Sequence, residues 1–256
     1  YVLAVSMLVD AINNRKPSGA SESTVLGPFH FADAPELPMG SDICLDQKGT
    51  PMLVRGTIRS TDGRPLANAK VDVWQANDEG FYDVQQKGIQ PDFNLRGVFR
   101  TGPDGAYWFR GVKPKYYPIP DDGPVGKLLK ALGRHPYRPA HLHYIIEAEG
   151  FDRLVTHIFD PDDPYINSDA VFGVKESLLA KFDRISDPAR IAEAGFANPA
   201  SRRTLRMAFA ARLWQGIGGC PASGESLCAT TGGRDRTDAS DQRSCPISRP
   251  AVRAQA

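Results

Sequence analysis

Between Pro51 and Phe159 the chain alternates short β-rich runs with turn chemistry, and this limits its possible folds more than any other feature. Leu53 to Ile58 precedes the turn Thr61-Asp62-Gly63-Arg64-Pro65, and Lys70-Val-Asp-Val-Trp74 alternates with period two. Gly102-Pro103-Asp104-Gly105 leads into Ala106-Tyr-Trp-Phe109, and His141 to Ile146 and Leu154 to Phe159 follow. A period of two sends successive side chains to opposite faces of a strand. Short runs closed by Asp-Gly turns read as antiparallel strands. A parallel α/β sheet needs a helical crossover between strands, and only Val125 to Leu132 reads as a helical turn. The expected fold is therefore mainly β, an antiparallel β-sandwich.

The flanks read differently. Val5, Leu8, Val9 and Ile12 recur at the spacing of one helix face, which predicts a short helix ending before Asn13-Asn14 and Lys16-Pro17. That apolar face needs a surface to pack on. Ser21 to Asp46 is turn-rich and irregular, a coil held against a larger body, with Leu26-Gly27-Pro28-Phe29 as its most distinctive piece. Residues 182–256 contain eleven Arg and no Lys, and Cys220 to Ala256 is Ser, Gly, Ala, Thr and Cys without period. This predicts a disordered low-complexity tail over 199–256, with a short helix over Thr204 to Trp214. It is also the text that an out-of-frame reading of a GC-rich gene produces.

Composition narrows the functional classes. With 31 basic and 30 acidic side chains the formal charge is +1, so no whole-chain field recruits nucleic acid or an anionic membrane. The apolar opening Tyr1 to Val9 stops at Asp10, short of a membrane span and without the basic leader or cleavage site of a signal peptide. A cytoplasmic protein is expected. Its start at Tyr rather than Met suggests a fragment of a longer chain. Four cysteines are too few for a disulfide scaffold, which leaves Cys44 as a free thiol.

Chemistry concentrates between Tyr107 and Tyr144. In Arg138-Pro-Ala-His141-Leu-His143 the histidines stand at i and i+2, so a strand presents both imidazoles on one face, within reach of a single ion. A solvated strand face carrying two histidines has the same spacing. No carboxylate completes the pair by an obvious motif; tyrosines surround it instead, in Gly80-Phe-Tyr82 and Tyr116-Tyr117-Pro-Ile-Pro120. An isolated tyrosine is more often core than ligand.

Taken in order, Gly-Phe-Tyr82, Tyr117-Pro-Ile-Pro-x-Asp-Gly-Pro-Val-Gly126 and Gly-Arg-His-Pro-x-Arg138-Pro-Ala-His141-x-His143 resemble the intradiol ring-cleavage dioxygenases, over roughly residues 1–198. Tyr117 precedes His141 and His143 by 24 and 26 residues, as in that family. Ser23-Thr-Val-Leu-Gly-Pro-Phe29, Leu154-Val-Thr-His-Ile-Phe159 and Ser168-Asp-Ala-Val-Phe-Gly-Val-Lys175 look most like its hydroxyquinol 1,2-dioxygenases, since catechol and chlorocatechol enzymes typically carry Gln where His157 stands.

The resemblance implies Fe(III) held by Tyr82, Tyr117, His141 and His143, with Tyr117 leaving the metal as a base when a small aromatic diol or triol binds. Dioxygen is the second substrate. It implies that Arg138 stabilises negative charge on the attacked ring, and that His157 orients a ligand or the substrate's third hydroxyl. Leu26, Gly27, Pro28, Phe29, Ile119, Pro120 and Val171 would form the substrate wall. Residues 1–20 would be the remnant of a helical dimerisation domain and 21–198 the catalytic sandwich, so the family's homodimer is left open for this chain. The family's final returning strand has no convincing match after Pro199, which would leave a sheet edge open.

Alternatives stay open. Catechol or chlorocatechol could be the substrate. Gly56 to Val71 resembles non-catalytic transthyretin-like β modules. A zinc or ferrous site could instead use His141, His143 and His157.

Overall fold

The structure, a computed structural model, describes residues 1–185, 187–193, 195 and 204–213. Among the described residues ten strands succeed one another: β1 (Pro51–Ser60), β2 (Lys70–Gln75), β3 (Arg96–Arg100), β4 (Ala106–Val112), β5 (Tyr117–Pro118), β6 (Tyr137–Arg138), β7 (His141–Glu147), β8 (Leu154–Phe159), β9 (Asp183–Ile185) and β10 (Thr204–Leu213). The helices are short: α1 (Val5–Asn13), α2 (Pro124–Ala131) and α3 (Pro188–Glu193).

The strands build two four-stranded sheets, β4-β1-β10-β9 and β3-β2-β7-β8, with β5 and β6 as a separate pair. Val71 and Val73 of β2, Phe99 of β3 and Leu142, Tyr144 and Ile146 of β7 meet Met52, Val54 and Ile58 of β1 and Tyr107 and Phe109 of β4 in one core. Phe99 and Phe109 stack across it with ring centroids 5.0 Å apart. The period-two reading of the sequence is what this packing requires: one face of these strands fills the sandwich, and the outer face of β2, β7 and β8 is left for the site.

Residues 35–43 lie against both sheets, as expected of the coil. Val98 accepts from Leu37 and donates to Pro35, while Arg110 accepts from Ile43 and donates to Ser41. The coil thereby covers β3 and β4, which end their sheets and would otherwise expose unpaired backbone groups.

Expectations for the C-terminal end are corrected. Thr204 to Leu213 is strand, not helix, and it lies beside β1 in parallel register from Met52↔Leu205 to Ser60↔Leu213. A returning strand therefore does pair with β1, the sandwich is not wholly antiparallel, and β10 lies beyond residue 198. Disorder expected over 214–256 lies outside the described residues. The α1 helix forms as predicted, yet Val5, Leu8, Val9 and Ile12 are 58%, 62%, 48% and 67% exposed. Met7 and Asp10 face the body instead, Asp10 because Lys175 reaches it at 3.4 Å. No helix among the described residues is long and apolar enough to cross a membrane.

Candidate active site

Because Leu142, Tyr144 and Ile146 point into the core, His141, His143 and Ile145 fall on the outer face of β7. The register sets Trp74 of β2 opposite His143 on one side and His157 of β8 opposite it on the other. Trp74 stacks on the His143 ring with centroids 4.6 Å apart and planes 13° apart. His157 meets His143 edge-on at 4.1 Å and stacks on His141 at 4.8 Å. This outer face is buried all the same, with His141, His143 and His157 at most 2% exposed.

Two loops bring the tyrosines over it. Tyr82 follows Gly80, whose φ of +90° suits glycine and whose added Cβ would meet the Tyr116 carbonyl oxygen at 3.0 Å and Tyr117 Cβ at 3.1 Å. The Asp83 carboxylate then fixes this loop through a buried fork to Arg96, which also donates to the Phe29 carbonyl at 2.6 Å. Tyr117 and Arg138 face one another across the β5–β6 pair, so two residues distant in sequence arrive as backbone partners.

Four donor atoms converge. Tyr82 Oη lies 2.9 Å from His143 Nε2 and 3.3 Å from Tyr117 Oη, and His141 Nε2 lies 3.1 Å from His143 Nε2. Ligand bonds of about 2.0 to 2.1 Å at right-angled to tetrahedral openings place donors roughly 2.8 to 3.4 Å apart. The spacing fits one ion. Two phenols and two imidazoles are hard and borderline donors, which suits ferric iron and offers no thiolate to reduce it. His141 Nδ1 donates to the Pro139 carbonyl at 2.7 Å, which turns the Nε2 lone pair toward the other donors.

Electrostatics agree with a ligand role. Burial, reinforced by the Arg138 charge, pushes His141 down to about 3, and burial drives His143 and His157 well below the ordinary imidazole value, so all three are neutral at pH 7. Burial likewise raises the Tyr82 phenol well above its usual range, with Tyr117 adding to the effect. A multivalent cation is what would make that phenol a phenolate. His141, His143 and His157 also form a group whose ligand atoms lie within 4.8 Å of one another. His157 packs face to face on His141, with planes 21° apart, which is the geometry of stacked rings rather than of two in-plane lone pairs aimed at one point.

Beside the donors lies a cavity of about 330 Å³, lined by Gly27, Pro28, Phe29, Ile119, Pro120 and Val171 together with Tyr1, Val2, Val25, Val125, Tyr117 and Arg138. Six of the seven wall residues expected from the sequence are there. Leu26 is not; it is 38% exposed and lines a separate hollow beside α1. Alternation explains this, since Gly27 turns the loop with φ +77° and its added Cβ would stand 3.1 Å from His143 Cε1.

Sequence reasoning missed Asp169. Arg138 is 3% exposed and directs Nε and Nη2 to the two oxygens of this carboxylate at 3.2 and 3.3 Å, with Nη1 3.2 Å from His141 Nε2. Burial alone would raise Asp169, but the Arg138 charge and its hydrogen bonds hold the carboxyl below its ordinary value. The signal available was chemical: an arginine expected beside a metal needs a carboxylate partner. Trp74 was read only as strand.

A family model described as Dioxygenase matches residues 30–208. The hydroxyquinol 1,2-dioxygenase of a Rhizobium species is 79% identical over 197 residues, covering 77% of this chain and 67% of that protein. The 6-chlorohydroxyquinol 1,2-dioxygenase of Cupriavidus pinatubonensis is 50% identical, covering 73% and 67%. Among solved structures, the hydroxyquinol 1,2-dioxygenase of Pseudomonas putida superposes with a TM-score of 0.77 at 44% identity, over 84% of this chain and 73% of that one.

Proposed function

Because this chain belongs to the intradiol ring-cleavage dioxygenases, we propose that it opens hydroxyquinol (benzene-1,2,4-triol) with dioxygen between its adjacent hydroxyl-bearing carbons. The product is 3-hydroxy-cis,cis-muconate, the enol form of maleylacetate, and the setting is aromatic breakdown. The observation that carries this reading is the meeting of two tyrosines and two histidines at the edge of an apolar cavity. A non-catalytic module has no use for that meeting. A cytoplasmic setting, where the buried Cys44 stays reduced, suits the reading.

Tyr82, Tyr117, His141 and His143 would hold ferric iron, which when bound supplies a Lewis-acidic template for the two adjacent oxygens of the ring. Of these four residues only Tyr117 also lines the cavity. Its oxygen is thus the one that an entering hydroxyl meets, and it serves as the base that takes the substrate proton. Arg138 lines the same cavity and is held charged by Asp169. Its fixed positive charge stabilises negative charge as the ring is attacked, worth about 3 kcal/mol by the scale of other preorganised donors. Gly27 to Phe29 and Ile119-Pro120 confine a flat ring and exclude water, with Val171 closing the remaining side. His157, stacked on His141, holds that imidazole in orientation.

The choice of hydroxyquinol rests on the relatives named for it. Among the described residues that line the cavity, Tyr1, Tyr117 and Arg138 are the polar ones and the rest are apolar, a lining that also accepts catechol as a second substrate. The test is oxygen uptake with product identification for the iron-loaded chain on both compounds. Equal amounts of oxygen consumed and muconate formed, with the higher kcat/KM on hydroxyquinol, are expected. A ring opened outside the diol, or no uptake, would overturn the reading.

A further inference from the structure

The Arg138 fork is held by one edge. Nε and Nη2 are both spent on Asp169, and Nη1, on the opposite side of the guanidinium, is the nitrogen that faces His141 Nε2 and the donor cluster. The same carboxylate also accepts backbone N–H groups, from Val171 at 3.2 Å to Oδ1 and from Gly173 at 2.9 Å to Oδ2. Val171 is a wall of the cavity. Space around the fork is used up: a Cβ on Gly173 would stand 3.0 Å from Arg138 Nη2 and 3.2 Å from Asp169 Oδ2. Asp169 is 5% exposed and Arg138 3%.

We propose that Asp169 is the positioning residue of this site: through one buried carboxylate it sets which edge of Arg138 faces the reacting ring and ties the Val171 wall to that setting. This rests on the dioxygenase reading for its kinetic consequences, but the hold on Arg138 does not. The physical reason is that a guanidinium alone on a strand can turn about its last torsions, whereas a side-on fork fixes its plane and leaves one N–H edge free. A preorganised charge accelerates a reaction only when it already stands where the charge develops. Asp169 does not line the cavity and makes no hydrogen bond to the donor atoms, so its effect on kcat passes through Arg138.

The discriminating experiment is a double-mutant cycle of Asp169→Asn and Arg138→Ala in the iron-loaded chain. It is read by iron content, by the anaerobic dissociation constant for hydroxyquinol, and by kcat. Asp169→Asn is expected to keep its iron, to hold the dissociation constant within about twofold, and to lose about 30-fold in kcat, the scale of a misplaced catalytic group. Arg138→Ala/Asp169→Asn should be no slower than Arg138→Ala. A metal-independent readout accompanies it: the Arg138 Nε–H resonance of the metal-free chain is expected to be sharp and slowly exchanging in the parent and to broaden or vanish in Asp169→Asn. Full kcat in Asp169→Asn, a further multiplicative loss in the double variant, or an unchanged Nε–H resonance would overturn the proposal. If Asp169→Asn does not fold, Gly173→Ala presses on the fork with both charges present and should lower kcat about tenfold with iron retained; an unchanged kcat there overturns it too. A parent chain that opens no ring would instead refute the dioxygenase reading, with the resonance still reporting on Asp169.

Discussion

Tyr117 stands in two places at once, in the donor cluster and on the cavity wall, and its replacement separates those roles from packing. Tyr117→Phe keeps the ring and its edge contact with Tyr82, 5.4 Å between centroids, and removes only the oxygen. Turnover should be abolished or fall by at least about 100-fold, while the variant folds and Tyr82 still colours the iron; undiminished ring opening would contradict the base assignment. Arg138→Ala should retain iron and lose roughly 100-fold in kcat, as when one preorganised donor is removed; loss of iron would make the residue structural. Gly27→Ala brings a strained φ of +77° and a methyl 3.1 Å from His143 Cε1, so iron affinity should drop, measured by competition with a chelator. At this scale spacing alone made the histidine pair a candidate, but a solvated strand face has the same spacing, and only the fold shows both rings buried. Tyr82 and Tyr117 became candidates only through resemblance, because nothing local distinguishes a tyrosine ligand from a core tyrosine. Asp169 was not legible: its partner Arg138 lies 31 positions away, and only the fold brings them together.

Strands with buried alternate positions were the readable elements, and the reason β10 was misread is instructive. Thr204-Leu-Arg-Met-Ala-Phe-Ala-Ala-Arg-Leu213 does alternate, with Leu205, Met207, Phe209 and Leu213 two or four apart, but Ala, Arg, Leu and Met are also strong helix formers. Tertiary pairing decided between them, since β1 needs a neighbour on the side away from β4. A chain ending at residue 203 should therefore expose the β1 edge, with a lower urea midpoint and aggregation on heating. An unchanged midpoint would mean that β10 contributes nothing to the sandwich. The α1 helix was read correctly by its spacing, and the surface its apolar stripe needs is not supplied by the described residues of this chain. Since Leu8 is 62% exposed, Leu8→Glu should leave the melting temperature at low protein concentration within about 2 °C, as expected for a surface change of about 0.5 kcal/mol or less. A larger fall would place the stripe against the body.

For the molecule as a whole, the site costs stability in acid. His141 titrates at about 3 in the folded metal-free chain against 6.5 ordinarily, and His143 and His157 are shifted the same way by burial. The unfolded chain therefore binds protons below pH 6.5 that the folded chain refuses, and stability falls as pH drops through that window toward 3. Asp169, lowered in the fold, adds a loss of the same sign at lower pH, once its carboxyl is protonated. Melting temperatures of the metal-free chain should decline steadily from pH 7.5 to 5, and a flat profile would mean that the histidines are hydrated rather than buried neutral. At the heart of the molecule, we propose, tyrosinates hold ferric iron where an aromatic diol can chelate it. The most direct test is the visible spectrum of the iron-loaded protein before and after anaerobic addition of hydroxyquinol. A charge-transfer band that shifts on addition is predicted, and a colourless folded protein that does not respond would contradict it.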